Sequence, residues 1–168
     1  MPAASPIVLN ATPGDPAANT YALLTEAETY HATRGFNSKW TSATDGAKNI
    51  VLAWATKLLD QQVWKGVKAI KTGALRWPQI GQVDRDFLIV DGTSIPQFLK
   101  EACAEWAFYL LVEDRTADEG GLVQYGGKVG PVFDPAMYIR KTMPESVRDI
   151  IYPYLLNGSE TYAPLRRM

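Results

Sequence analysis

Residues 94–114 read SIPQFLKEACAEWAFYLLVED. Leu99, Ala102, Cys103, Trp106, Leu110 and Leu111 recur at spacings of three and four, and Phe98, Tyr109 and Val112 widen the stripe. That period belongs to a helix. Its C-terminal half is apolar nearly all round, as in an inner element or one covered by a neighbouring subunit. Ser94 and Gln97 stand at capping-box spacing, with Pro96 tolerated in the first turn. Glu101 and Glu105 lie one turn apart. Paired carboxylates can do acid–base work, but here both are expected on the polar, exposed side.

A second long helix is expected over residues 44–64, TDGAKNIVLAWATKLLDQQVW. Ala47, Ile50, Val51, Trp54, Leu58 and Leu59 form its stripe, while Lys48, Lys57 and Gln61 face away. Thr25 and Glu28 suggest a capped short helix that stops near Gly35. Thr142 and Glu145 suggest another, which Pro153 ends or kinks. Phe87–Val90 is compatible with a short strand followed by an Asp91-Gly92 turn. LVQYGGKVG, residues 122–130, reads as a small hairpin or projecting loop. The fold class expected is mainly α: a small helical bundle with a short β-hairpin or extended loop, and extended N- and C-terminal arms.

Composition narrows the chemistry. The 168 residues carry a formal net charge of -1, which gives no support for bulk polyanion binding. The single cysteine, Cys103, and single histidine, His31, exclude the usual Cys/His zinc sites and argue against a Cys–His nucleophile pair. Asp84, Asp86 and Asp91 lack the spacing of a calcium loop. No metal, cofactor or enzymatic activity is expected. No apolar run is long enough to span a membrane, and the N-terminus lacks the basic and apolar regions of a signal peptide. The expected setting is a reducing cytoplasm.

Two groups of residues invite a binding role. Lys65, Lys68 and Lys71 sit together beside Trp64. They are the candidate DNA contact, with a solvated loop as the plain alternative. The tail TYAPLRRM is aromatic, apolar and basic, and suits docking in a groove of another protein, with a frayed terminus as the equal alternative. Arg76-Trp77-Pro78, within GALRWPQIG, is open to two readings, a binding site or a rigid corner between two helices: Pro78 biases Trp77 toward extended backbone, with Trp77 under the long helix and Arg76 reaching a carboxylate or carbonyl nearby.

The ordered set TYALLTEAETYHATRG, LLDQQVWKG, ALRWPQIG, SIPQFLKEACAEWAFYLL, KVGPVFD and IIYPYLL resembles the head-completion, or head-to-tail adaptor, proteins of tailed bacteriophages. Part of that group is labelled DnaT-like single-stranded DNA-binding protein. The resemblance covers about residues 20–156. It implies a helical adaptor domain (21–156), in which Arg76-Trp77-Pro78 is a structural corner with Trp77 filling core space and Arg76 fixing the loop, and a C-terminal docking tail (157–168); residues 1–20, dominated by Pro, Ala, Gly and Asn, read from their composition as an N-terminal arm. It further implies a structural virion protein in a homo-oligomeric, dodecameric ring at the virion neck, assembled in the host cytoplasm. The ring would meet the portal through Tyr162, Leu165, Arg166 and Arg167, meet a tail protein on its other side, and let genomic DNA through its channel without sequence readout. The alternative is a single-stranded DNA-binding protein using Lys65, Lys68, Lys71 and an exposed Trp64.

Overall fold

The computed structural model describes residues 7–113 and 143–156. Among them are five α-helices and one two-stranded sheet. The helices are α1 (Leu24–Thr33), α2 (Ser38–Thr41), α3 (Asp45–Asp60), α4 (Gln97–Val112) and α5 (Glu145–Ile151), with a 3-10 turn at Tyr152–Tyr154. The strands β1 (Val67–Lys68) and β2 (Gln79–Ile80) pair antiparallel, Val67 opposite Ile80 and Lys68 opposite Gln79. The mainly α fold class holds.

Helix α4 is the inner element. Every residue from Ala102 to Phe108 is buried, and α1, α2, α3 and α5 all pack on it. Ala102, Cys103, Ala104 and Ala107 let backbones approach closely, and Ala55 on α3 does the same from the other side. The cover thus comes from the chain's own helices. The start of α4 differs from the capping-box expectation. Ser94 Oγ donates to Asp91 Oδ2 at 2.7 Å, so Pro96 takes the cap position and the helix begins at Gln97.

The other boundaries shift for local reasons. Thr44 caps α3, accepting the Ala47 N–H at 3.3 Å. The helix stops at Asp60, because the chain then turns extended and Trp64 pairs with Leu155 in an isolated antiparallel bridge. In α1 the cap lies earlier than Thr25: Glu26 Oε2 accepts the Leu23 N–H at 2.8 Å. Glu28 is thereby left to meet Lys48 at 2.5 Å. Lys48 was expected in solvent; it is buried by this pair and by the Trp40 ring 5.5 Å away. Ile50, expected in the core, is exposed instead. Pro144 stands at the cap of α5, and Pro153 falls in the 3-10 turn that ends the element. Phe87–Val90 is not a strand. One bridge, Val83–Ile89, closes a tight loop there. Thr142 and the hairpin expected at 122–130 lie outside the described residues.

The described part of the N-terminal segment lies against the body. Ala74 N–H donates to Asp15 O at 3.0 Å. Gly14, at φ +73°, is so close to Ile70 that a Cβ there would meet its Cδ1 at 2.6 Å. Ala18 and Thr20 are buried.

Glu105 also departs from expectation. It is buried in the middle of α4 and held by Arg34 at 2.8 Å and 3.2 Å, with Tyr30 donating at 3.1 Å. The Arg34 guanidinium also lies 3.9 Å from the Phe108 ring centre. Burial pushes the Glu105 carboxyl up, but the bonds and charge of Arg34 outweigh it and hold the group below its ordinary value. A carboxylate held low in the folded state stabilises above its unfolded-state pKa, and that contribution fades as pH falls through the folded value. Removing one partner of a buried pair costs about 3 to 5 kcal/mol. Arg34 keeps partial solvent access, so Glu105→Gln is expected near the lower end, about 3 kcal/mol. Urea denaturation at neutral pH and again below pH ~4 should show the gap between wild type and variant closing on the acid side.

Candidate nucleic-acid interface

The chain from Gln61 to Val83 contains Lys65, Lys68, Lys71 and Arg76 and no Asp or Glu. Four cations without an anion make this segment basic within a chain of net charge -1. It folds as one unit: the end of α3, the bridge at Trp64, the β1–β2 pair and the turn between the strands. Looking for lysine clusters alone finds three of these cations and misses Arg76. The absence of acids on both sides of the cluster is the signal that reveals the fourth.

Arg76-Trp77-Pro78 positions this unit. Trp77 is only 1% exposed, and the Trp77–Pro78 bond is cis. Asp60, at the end of α3, accepts the Arg76 N–H at 2.8 Å and the Tyr21 hydroxyl. Tyr21 Oη in turn accepts the Trp77 N–H at 3.4 Å. Burial and the Asp60 charge push the Tyr21 phenol well up, so it stays a protonated donor. Arg76 is thus fixed through its backbone, and among the described residues its guanidinium has no ion pair. That residue is exposed.

Aromatic rings tie the segment to α4 and the C-terminal turn. Trp64 meets Trp77 edge-on at 5.3 Å, Trp77 meets Phe98 edge-on at 5.5 Å, and Phe98 stacks on Tyr154 at 3.7 Å. Lys65 N–H donates to Tyr154 O at 3.0 Å, and Leu156 N–H to Val63 O at 2.8 Å. These rings serve packing. Trp64 is 5% exposed, so the expectation of an exposed Trp64 for base stacking is wrong. Its ring is needed against Trp77.

The three lysines differ in role. Lys65 is exposed, with its ammonium on Pro153 O at 2.8 Å. Lys68 is half-buried and closes the following turn by donating to Gly73 O. Lys71 is exposed in that turn. Lys68 and Arg76 come together at a shallow open cleft lined also by Trp64, Gly66 and Gln79. Gly66 is needed there, since a Cβ would meet Gln82 Cγ and Ile80 O at 2.8 Å. Tyr162, Leu165, Arg166 and Arg167 lie outside the described residues.

A family model described as "Putative DnaT-like ssDNA binding protein" matches residues 5–168. The chain belongs to that DnaT-like family. No curated protein and no solved structure matches it. The head-to-tail connector reading is corrected by these findings. The matched family is described by single-stranded DNA binding, and no structural likeness to a connector supports the other function. The terms attached to that reading (virion, portal binding, dodecameric ring, DNA channel) do not stand.

Elsewhere in this DnaT-like chain, the candidate reactive groups are packed. Cys103 is buried, 3.3 Å from Thr56 Oγ1, and burial pushes its thiol up to about 11. His31 donates from Nε2 to Ala104 O at 3.1 Å and lies 4.2 Å from the Trp40 ring; burial lowers its pKa. Among the described residues no group of three His, Cys, Asp or Glu stands where it could hold a metal, and no helix is long and apolar enough to cross a membrane.

Trp77→Ala should cost about 3 to 5 kcal/mol in denaturant unfolding, the usual range for deleting a buried large aromatic. The variant should lose cooperative folding before it loses any ligand. A Trp77→Ala protein with wild-type stability and only a binding defect would refute the corner role.

Proposed function

We propose that this chain binds single-stranded DNA along its basic segment, through the sugar–phosphate backbone and without base readout. The observation that carries the reading is the acid-free run of Lys65, Lys68, Lys71 and Arg76, held on a rigid aromatic support, in a member of a family described by this activity. Phosphate contacts dominate affinity for nucleic acids and release condensed counterions. A rigid support keeps the four cations in place before the strand arrives, so less ordering cost falls on binding. Arg76 presents a planar fork suited to a phosphate, and the lysines act as point charges.

Salt dependence tests this directly. For single strands the slope of log K against log salt is about -0.7 per neutralised phosphate, so four contacts give about -2.8. Fluorescence anisotropy with a labelled oligothymidine should approach that slope. A Lys65→Ala, Lys71→Ala, Arg76→Ala variant should bind weakly, with a slope near -0.7 from Lys68 alone. No binding by the folded wild type at low salt would end the proposal.

A further inference from the structure

Lys68 and Gln79 are direct partners across the β1–β2 ladder, so their side chains stand on one face of it. That face borders the cleft that Arg76, Trp64 and Gly66 also line, and no Asp or Glu lines it. Lys68 Nζ donates one hydrogen to Gly73 O, which steadies the ammonium and leaves two donors. Arg76 is anchored by its backbone N–H on Asp60 Oδ1 at 2.8 Å, and its guanidinium makes no hydrogen bond or ion pair among the described residues. Gln79 is only 3% exposed. Its Oε1 accepts from Gln82 Nε2 at 3.1 Å, so its NH2 is the end of the amide without a hydrogen bond among the described residues. A polar group held this deep calls for a partner. Gly66 keeps the approach clear, since a Cβ there would lie 2.9 Å from Gln79 Oε1.

These donors exceed what an internal phosphate of a strand can use. A phosphodiester carries one charge and two unesterified oxygens. Arg76 alone offers a fork of two parallel N–H groups, and Lys68 and Gln79 add further donors. A terminal phosphomonoester carries about two negative charges at neutral pH and three free oxygens. It matches two cations and three donor groups. We propose, building on the DNA-binding reading above, that this cleft recognises the phosphorylated end of a strand. Arg76 grips two oxygens of the terminal phosphomonoester, and Lys68 and Gln79 hold the third. Lys65 and Lys71, which do not line the cleft, meet internal phosphates. The protein thereby seats at strand ends.

Anisotropy titrations of the full chain at one salt concentration test this. They compare three internally labelled oligothymidines of equal length: 5′-phosphorylated, 3′-phosphorylated, and hydroxyl at both ends. At least one phosphorylated strand should bind about tenfold more tightly than the hydroxyl-ended one, the scale of one further charge-assisted hydrogen bond. Which strand gains identifies the end recognised. Arg76→Lys keeps the charge and the backbone bond but loses the fork, so the preference should fall to about twofold or less whatever happens to overall affinity. The Arg76 side chain is exposed and unpaired among the described residues, so this variant should keep the wild-type melting temperature. Lys71→Ala should weaken all three strands alike and preserve the ratio. Equal affinity of the wild type for all three strands overturns end recognition and leaves DNA binding standing. A preference that survives Arg76→Lys, or vanishes with Lys71→Ala, also overturns it, because the cleft is then not its source. No binding of any strand at low salt overturns both proposals.

Discussion

Over Ala102–Phe108 the central helix has no face for water, and one of its seven buried side chains is a carboxylate. Both facts constrain the surroundings. A helix buried on every side needs cover from several directions, and α1, α2, α3 and α5 supply it. The buried Glu105 needs a cation and a donor from whichever element lies opposite, and Arg34 and Tyr30 on the N-terminal side meet that need. The pair therefore fixes how α1 and its C-terminal turn lie on α4. A less polar contact would leave α1 freer to slide, because apolar packing is non-directional.

The basic segment depends on that core. It leaves α3 at Asp60, and the same carboxylate that ends the helix receives the Arg76 backbone. Rings from Trp64 through Trp77 and Phe98 to Tyr154 then join the segment to α4 and to the turn after α5. The large aromatics of this region serve as support, and under the proposed function the cations around them serve as contact. That division explains how a chain of net negative charge can present a local surface suited to a polyanion.

Periodicity made α3 and α4 legible, because each carries a long stripe. It misplaced Glu105 and Lys48, since a charged residue in a helical pattern is assigned to solvent unless its partner is known. Those partners, Arg34 and Glu28, lie far away in sequence. Trp64 failed for a related reason: a tryptophan beside lysines looks like a stacking platform, and only the fold shows Trp77 against it. Helix α2, four residues long around the buried Trp40, is too short to show a period. The strands, two residues each, are likewise too short to alternate. The residues around Trp77 left a binding site and a rigid corner both open, since burial cannot be read from one short stretch; in the fold Trp77 is buried and Arg76 is held through its backbone N–H. The resemblance to phage connectors pointed to the right group of sequences and the wrong function within it.

The bridge between Trp64 and Leu155 and the stacking of Tyr154 on Phe98 have a consequence for how the protein is made. On the ribosome, α3 and α4 emerge well before Val147, Ile151, Tyr154 and Leu155, all of which are buried in the finished core. Until those residues leave the exit tunnel, Trp64 and Phe98 lack part of their cover. The nascent chain then shows apolar surface of the kind that chaperones bind. Maturation of the core thus waits until the stretch from Val147 to Leu155 has been made.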